Sequence, residues 1–203
     1  MIQPHGVILA GGRATRMGGG DKGRLTLAGR PLIDRVIGRL APQVDALALN
    51  ANGDPARWAD LGLPVLADSL AGHPGPLAGV LAGLDWAAAQ GCPQIVTAAA
   101  DTPYLPPDLV PRLLAAAGPS GVALAATQDG EKTWPQPTFG LWPVALRHDL
   151  RDTLEGGLRK ITRWTDGHGA GLAVFPTTPL DPFFNINTPE DLAEAEALAR
   201  GAP

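Results

Sequence analysis

Glycines and cationic side chains are concentrated just after the first apolar run of the chain. Gly11 and Gly12 follow Val7–Ala10, and Arg16 and Lys22 come shortly afterwards. Paired glycines let a backbone turn sharply and bring its N–H groups close to a ligand. Amide donors combined with fixed cations are well suited to binding a polyphosphate. The alternative is a flexible surface connection with solvated arginines.

Polar side chains also follow later apolar runs. Asp101 comes after Ile95–Ala99, a run too apolar to need a carboxylate for its stability, and Asn50 and Asp68 stand at equivalent positions. Mg²⁺ prefers oxygen ligands and commonly binds one or two carboxylates together with substrate phosphates. Asp101 could instead cap the helix that begins near Pro107, but five intervening residues make it a poor cap. Asp101 is therefore a candidate functional carboxylate rather than a helix cap.

Two well-known phosphate-binding loops fit this region badly. A Walker A loop requires Gly-Lys-Ser/Thr, but Asp21 precedes Lys22 and Gly23 follows it. A dinucleotide fingerprint leads straight into a helix, whereas "RLTLAGRPL" predicts a short strand and a turn before a helix at Pro31. A nicotinamide dehydrogenase would also carry an acidic residue where Asn50 stands. The elbow motif of serine hydrolases is missing as well.

Short apolar runs alternate with amphipathic segments along most of the chain. The runs predict buried strands because they are short and bounded by turn residues: Val7–Ala10, Ala46–Leu49, Pro64–Ala67, Ile95–Ala99 and Val122–Ala126. The other segments predict helices, with Pro near the start of several and Gly91 after one: Pro31–Leu40, Leu77–Gln90, Pro107–Ala117 and Thr188–Arg200.

This alternation predicts an α/β protein. Its expected form is a three-layer α/β/α, Rossmann-like fold with a mostly parallel central sheet. Ligands of such sheets bind beyond the carboxyl ends of the strands, where the glycine loop, Asn50, Asp68 and Asp101 would meet. Without a repeat or a long linker, we expect a single domain over residues 1–203.

Composition narrows the class of protein further. The 203 residues carry a net charge of −4, so bulk charge gives no reason to expect nucleic-acid binding. Cys92 is the sole cysteine, which excludes an intrachain disulfide and a cysteine-based metal site. The first apolar run is too short for a signal peptide or a membrane span. We therefore expect a cytoplasmic enzyme that works neither on nucleic acid nor at a membrane.

Five segments together resemble a known enzyme family. "LAGGRATRMGGGDKG" is similar to the opening signature of nucleotidyltransferases, which couple a nucleoside triphosphate to a phosphorylated acceptor. The other segments are "LNAN" (49–52), "DSLAGHPGPLAGVLAGL" (68–84), "DTPYLPPDL" (101–109) and "FNINTPEDL" (184–192). In order and over nearly the whole chain, they most resemble the molybdenum cofactor guanylyltransferase (MobA) family.

The resemblance implies a nucleotidyltransferase fold and a Mg²⁺-assisted reaction. GMP would pass from GTP to the phosphate of molybdopterin, with release of pyrophosphate and formation of the guanine dinucleotide cofactor. Lys22, Arg16 and Asp101 would be catalytic, Asp101 being the Mg²⁺ ligand. The N-terminal part would bind GTP through Leu9, Ala10, Gly11, Gly12, Lys22, Asn50, Asp68, Gly75 and Asp101.

The C-terminal part would bind the acceptor. Arg159 and Lys160 lie in a basic segment suited to an anionic pterin phosphate, although such a run is also typical of a solvated helix face. Asn185 and Asn187 alternate around Ile186, so both would face one side of an extended segment. By resemblance Asn185 and Asn187 line the acceptor side, although Asn187 could instead simply precede the cap of the last helix. With Arg159 and Lys160 they are the predicted acceptor-binding set, and proteins that make or receive the cofactor are the expected partners.

Several alternatives remain open at the level of sequence. Asn50 and Asp68 could contact guanine, ribose or the water shell of the metal, and Asp68 could instead cap its own loop. A cytidylyltransferase for the same cofactor, or another small nucleotidyltransferase, would use the same chemistry with another base. A nucleotide-binding chaperone that delivers the cofactor would need the glycine loop but no metal ligand at Asp101.

Overall fold

The central element of the protein is a seven-stranded sheet. The computed structural model describes residues 3–11, 19–70 and 75–201. The strand order is β5-β4-β1-β6-β8-β7-β9, and β2 and β3 form a separate two-stranded hairpin. The strands are β1 (His5–Leu9), β2 (Thr26–Leu27), β3 (Arg30–Pro31), β4 (Leu47–Asn50), β5 (Val65–Leu66), β6 (Gln94–Ala99), β7 (Ala123–Asp129), β8 (Lys132–Pro143) and β9 (Gly171–Phe175).

The sheet is parallel except at one strand. β1 pairs in parallel with β4 and β6, β4 with β5, and β7 with β9, whereas β8 runs antiparallel to both β6 and β7. Leu9 is in register with Asn50 on one side and Ala99 on the other. The ends of three neighbouring strands therefore lie side by side, which confirms the prediction of a mostly parallel sheet.

The predicted helices are present, with boundaries shifted by one or two residues. Pro107, predicted as a first helical residue, lies before its helix, whereas Thr188, whose place before Pro189 predicts an N-cap, directly precedes the last helix. The segment from Arg147 to Gly167 adds two helices that the periodicity did not predict. No helix in the described ranges is both long and apolar enough to cross a membrane. The helices are α1 (Leu32–Leu40), α2 (Pro76–Ala89), α3 (Leu109–Ala116), α4 (Arg147–Glu155), α5 (Ile161–Gly167) and α6 (Pro189–Gly201).

Helices cover both faces of the sheet, as predicted for three layers. One apolar cluster joins α1 and α3 to the sheet through side chains such as Ile33 and Leu113. A second cluster joins α2, α4 and α5 to the opposite face, with Leu81 and Trp164 among its members. Burial of these side chains supplies the main favourable free energy of folding.

A third, smaller cluster fixes the C-terminal helix near the end of the glycine loop. Leu27 of β2, Leu32 of α1, Tyr104, Ile186 and Ala195 of α6 are all buried together. The Tyr104 hydroxyl donates a hydrogen bond of 2.7 Å to the Ala195 carbonyl. Because of this packing, the segment just before α6 lies against the carboxyl edge of the sheet.

Candidate active site

A large cavity lies at the carboxyl edge of the sheet. Its volume is about 1140 Å³, and its lining combines the ends of β1 and β6 with polar side chains from several loops. Leu9, Ala10, Gly11, Asn50, Asp68, Gly75, Asp101 and Asn185, all predicted site residues, belong to that lining. Cavities of this size hold ligands in many proteins.

Lys22 connects the glycine loop to two distant segments. It begins a 3-10 turn, Lys22–Arg24, and its side chain is only 17% exposed. The ammonium donates a hydrogen bond of 3.1 Å to Asp101 Oδ2 and a second one to Asn187 Oδ1. A cation, a carboxylate and an amide therefore meet at one point of the cavity rim.

Asp101 is joined by its backbone to the segment before α6. The Ile186 N–H donates to the Asp101 carbonyl at 3.0 Å, and Ile186 itself is fully buried. Asn185 and Asn187, on either side of Ile186, lie at the cavity and at Lys22 respectively. The predicted alternation of these three side chains is present in the structure.

Asp68 is surrounded by amide donors. Its two carboxylate oxygens accept hydrogen bonds from Asn50 Nδ2 at 2.9 Å and from Asn52 Nδ2 at 2.7 Å. Its own N–H donates to Asn52 Oδ1 at 2.9 Å, so Asn52 contacts Asp68 at two points. The buried Asn50 also donates to the Leu66 carbonyl at 3.1 Å. The network orients both Asn50 and Asp68 beside the cavity.

The two glycines near the start of α2 have different functions in the fold. Gly75 has φ 93°, a conformation that favours glycine, and it lines the cavity immediately before the helix. Gly79 lies inside α2, where a Cβ would approach Asn50 Oδ1 to 2.2 Å and Leu9 Cδ2 to 2.8 Å. Gly79 therefore makes room for the Asn50 side chain.

Hydrogen bonds at the start of α6 hold Asn187 in place. Asp191 Oδ2 accepts from the N–H groups of Asn187 at 2.8 Å and Thr188 at 2.9 Å, while the Asp191 N–H donates to Thr188 Oγ1 at 3.2 Å. This reciprocal pattern is a capping box with Thr188 as the predicted N-cap. The Asn187 N–H and the bonds from Thr188 lower the pKa of Asp191.

Sequence reasoning missed one wall of the cavity. Arg57 donates to Asp21 at 2.9 and 3.1 Å, to the Asn52 carbonyl at 2.7 Å and to the Asp54 carbonyl at 3.1 Å. All four residues line the cavity. Asn52 belongs to the quoted "LNAN" and could have been singled out, but Arg57 has no motif that signals its position.

Four predicted site residues remain, two outside the described part of the chain and two away from the cavity. Arg16 and Gly12 lie outside the described residues. Arg159 is exposed after α4, and its guanidinium donates to the Leu154 and Leu158 carbonyls at 2.5 and 2.9 Å. Lys160 is exposed at the start of α5, and neither Arg159 nor Lys160 belongs to the cavity lining. Arg159 thus donates to carbonyl groups at and just after the end of α4. Its contact with an acceptor stays a prediction.

The donors at the cavity suit a metal ion that is shared with a substrate. No group of three or more His, Cys, Asp or Glu side chains converges within residues 3–11, 19–70 and 75–201. Asp101 offers one carboxylate at the cavity, next to the Lys22 ammonium. Mg²⁺ commonly binds one or two carboxylates and completes its octahedron with water and phosphate oxygens. The residues present therefore fit Mg²⁺ delivered with a triphosphate.

Comparison with protein families identifies the class to which this fold and site belong. Residues 6–169 match the family model described as a MobA-like NTP transferase domain. The chain therefore belongs to the MobA-like nucleotidyltransferase family. This assignment accounts for a glycine loop and a carboxylate at one edge of a mostly parallel sheet.

Curated relatives narrow the comparison to one kind of enzyme. A molybdenum cofactor guanylyltransferase from Bradyrhizobium sp. (strain ORS 278) is 53% identical over 197 residues, which cover 96% of this chain and 92% of the relative. An enzyme of the same name from Cereibacter sphaeroides is also 53% identical, with 96% of each chain covered. The likeness extends past residue 169 and includes the segment before α6.

Solved structures show that the fold itself is shared more widely. Molybdopterin-guanine dinucleotide biosynthesis protein A from Archaeoglobus fulgidus superposes with a TM-score of 0.71 at 23% identity, covering 98% of this chain and all of that one. A 4-diphosphocytidyl-2C-methyl-D-erythritol synthase from Anaerococcus prevotii gives 0.74 at 13% identity, covering 98% and 96%. The nucleotidyltransferase fold predicted from the sequence is confirmed.

Proposed function

We propose that this chain transfers GMP from GTP to the phosphate of molybdopterin and releases pyrophosphate. The observation that carries the proposal is the meeting of Lys22, Asp101 and Asn187 at one cavity rim. Relatives named molybdenum cofactor guanylyltransferase, 53% identical over nearly the full chain, support the choice of substrates. The product is the guanine dinucleotide form of the cofactor.

The nucleotide enters at the ends of β1, β4 and β5. Leu9, Ala10 and Gly11 present backbone to it, and Asn50, Asp68 and Gly75 line the same side of the cavity. Lys22, which now donates to Asp101, is close enough to the rim to donate to phosphate oxygens instead. A fixed ammonium stabilises the negative charge that develops when the bond to pyrophosphate breaks. Arg16 and Gly12 complete this proposed set.

The acceptor enters on the side of Asn185 and Asn187. The exposed amide of Asn185 can donate to a pterin or a phosphate, and Asn187 holds Lys22 between nucleotide and acceptor. Arg159 and Lys160, which do not line the cavity, are proposed to attract the acceptor phosphate from a greater distance. That phosphate is already anionic, so the reaction needs placement and charge neutralisation but no general base.

Asp101 is the residue proposed to hold Mg²⁺. When bound, the ion supplies charge neutralisation to the phosphate oxygens. The same Asp101 carboxylate orients Lys22 at 3.1 Å, so one side chain positions both of the proposed sources of positive charge. We place the reaction in the cytoplasm, with proteins that make or receive the cofactor as partners.

A product assay tests the proposal directly. Purified protein is incubated with Mg²⁺, molybdopterin and GTP, CTP or ATP in parallel, and pyrophosphate and dinucleotide are both measured. With GTP we expect pyrophosphate and guanine dinucleotide in equal amounts, and with CTP or ATP we expect neither product. Faster turnover with CTP would make the protein a cytidylyltransferase. Nucleotide binding without pyrophosphate release would indicate a chaperone.

A further inference from the structure

The residues on both sides of Lys22 are held by one short helix. The 3-10 helix Pro55–Leu61 lies between β4 and β5, outside every motif identified in the sequence. Its Arg57 binds the residue before Lys22, and its Asp60 binds Arg24, two positions after Lys22. We propose that this helix is a clamp that positions Lys22 for phosphate transfer.

Arg57 forms the first contact of the clamp. Its Nη1 lies 2.9 and 3.1 Å from the two oxygens of Asp21, and its Nη2 donates to the Asn52 carbonyl at 2.7 Å. A guanidinium that donates through several N–H groups is fixed in orientation as well as in distance. Asp21 therefore has a defined position relative to the end of β4.

Arg24 forms the second contact. Its guanidinium lies in a bidentate pair with Asp60, at 2.7 and 2.5 Å, and also donates to the Arg57 carbonyl at 2.5 Å. The same guanidinium lies 4.5 Å from the centre of the Trp58 ring, a cation–π contact. Arg24 thus contacts three residues of the helix, Arg57, Trp58 and Asp60.

The Trp58 ring packs against the Lys22–Arg24 turn. It is fully buried, and a Cβ at the buried Gly23 would lie 3.7 Å from Trp58 Cη2. Gly23 follows Lys22 directly, so the tryptophan ring limits how closely the turn can approach the sheet, together with Ala100 and Ile33, whose Cβ atoms would each lie 3.4 Å from the same position. With Asp21 and Arg24 fixed on either side, the Lys22 backbone has little freedom to move.

The exposure of these contacts indicates that the clamp acts on geometry more than on stability. The side chains of Arg24 and Asp60 are 31% and 62% exposed, and exposed ion pairs contribute little to the free energy of folding. Phosphate transfer, by contrast, is sensitive to displacements of about 1 Å in the positioning groups. Loosening the clamp should therefore reduce turnover without unfolding the protein.

The test compares Arg24→Gln, Asp60→Asn and the double variant in the GMP-transfer assay. We expect each single change to lower kcat about tenfold, from a misplacement well under 1 Å, while KM for GTP stays within about twofold of wild type. The double variant should lose no more kcat than Arg24→Gln alone, because both substitutions break the same contact. Arg24→Lys should recover part of the loss.

Arg112→Gln is the matched control. Arg112 also pairs with an aspartate, Asp108 at 3.6 Å, and also lies over an aromatic ring, Phe175 at 4.1 Å, but it does not line the cavity. Unchanged kcat in Arg24→Gln and Asp60→Asn, or a loss equal to that of the control, would overturn the clamp.

The inference rests on the proposed function because it acts through Lys22, and the assay separates the two. If the wild-type protein itself transfers no GMP, the proposed function fails whatever the variants do. If the wild type is active and the clamp variants match it, only the clamp fails. Thermal unfolding of each variant, followed by circular dichroism, detects loss of folded protein.

Discussion

Lys22 donates hydrogen bonds to side chains from distant parts of the chain, Asp101 and Asn187. The pair with Asp101 is only partly exposed, so its charges interact more strongly than those of a surface pair. Asp101 follows β6, whereas Asn187 lies in the segment before α6. The position of the ammonium therefore depends on the correct folding of both halves of the chain.

Replacement of Lys22 tests its contribution to the transition state. Lys22→Met keeps the length of the side chain and removes its charge, so we expect kcat to fall by about 10²–10³-fold, as for other electrostatic stabilisers of developing charge. The free energy of unfolding should fall by about 1 kcal/mol, because one hydrogen-bonded group is lost. Lys132→Met, at an exposed lysine of β8, serves as the control. Equal relative losses of stability and turnover would return Lys22 to a structural role.

Asp101→Asn tests the proposed metal ligand separately. The amide oxygen can still accept from Lys22, but the charge that attracts Mg²⁺ is lost. We expect Mg²⁺-dependent transfer to fall at least 10²-fold, with the concentration of Mg²⁺ needed for half-maximal rate raised. Asp45→Asn is the control, since Asp45 is 69% exposed and pairs with His5. An unaltered Mg²⁺ titration of Asp101→Asn would contradict the assignment.

Helix α2 must approach the sheet closely for the Asn50 network to form. Gly79 provides this approach, because a methyl group there would lie within 2.2 Å of Asn50 Oδ1. Leu9, at the end of β1, limits the same space. Gly79, which has no side chain, thus determines where the amide of Asn50 can lie.

Two glycine-to-alanine changes within helices should have opposite effects. We expect Gly79→Ala to lower the free energy of unfolding by about 1–3 kcal/mol through overpacking and to weaken GTP binding. Gly38→Ala in α1 should raise it by about 0.5–1 kcal/mol, since its new methyl group meets only the end of Arg30 at 3.4 Å. Urea denaturation and GTP titration measure both effects. If Gly79→Ala instead stabilised the protein, the Asn50 side chain would have to move away from the new methyl group without cost.

The start of α6 provides a prediction about pH. Because backbone hydrogen bonds lower the pKa of Asp191 in the folded protein, its contribution is complete above the unfolded pKa of about 3.9. It is lost as pH falls through the lower, folded value. At pH 7 we expect Asp191→Asn to cost about 1 kcal/mol of unfolding free energy, as for other helix caps, and the difference from wild type to shrink at pH 3.

Glu190→Gln is the control for this pH effect. Glu190 lies in the same turn and is exposed. Its replacement should change the free energy of unfolding little at either pH. A difference between Asp191→Asn and wild type that stays constant from pH 7 to pH 3 would refute the cap as its source.

The whole molecule should become more stable when its cavity is filled. GTP with Mg²⁺ at a hundred times its Kd would add about 2.7 kcal/mol, which for a chain of about 200 residues corresponds to a rise in Tm of about 5–10 °C. CTP at the same concentration should give a smaller rise if the base is recognised. Differential scanning fluorimetry measures both, and equal shifts with GTP and CTP would contradict guanine recognition.

Sequence reasoning reached most of the sheet because periodicity and turn residues are local signals. It also found the residues that follow strands, such as Asp101, since parallel strands bring their carboxyl ends together. It did not find Arg57, whose contacts to Asp21 and Asn52 depend on tertiary packing. The contact of Arg159 with an acceptor stays a prediction, because a cluster of cations does not reveal which way its loop faces. We propose that all 203 residues form one domain.

The antiparallel strand β8 gives the protein a part that can change in length independently. Val96 of β6 pairs with Leu141 of β8, yet β6 ends at Ala99 while β8 continues back to Lys132. The excess pairs with β7, and beyond Thr127, where the pairing of β7 with β9 ends, β7 and β8 continue together to a turn at Gly130. Residues could be added or removed at that tip without altering the register of any parallel strand.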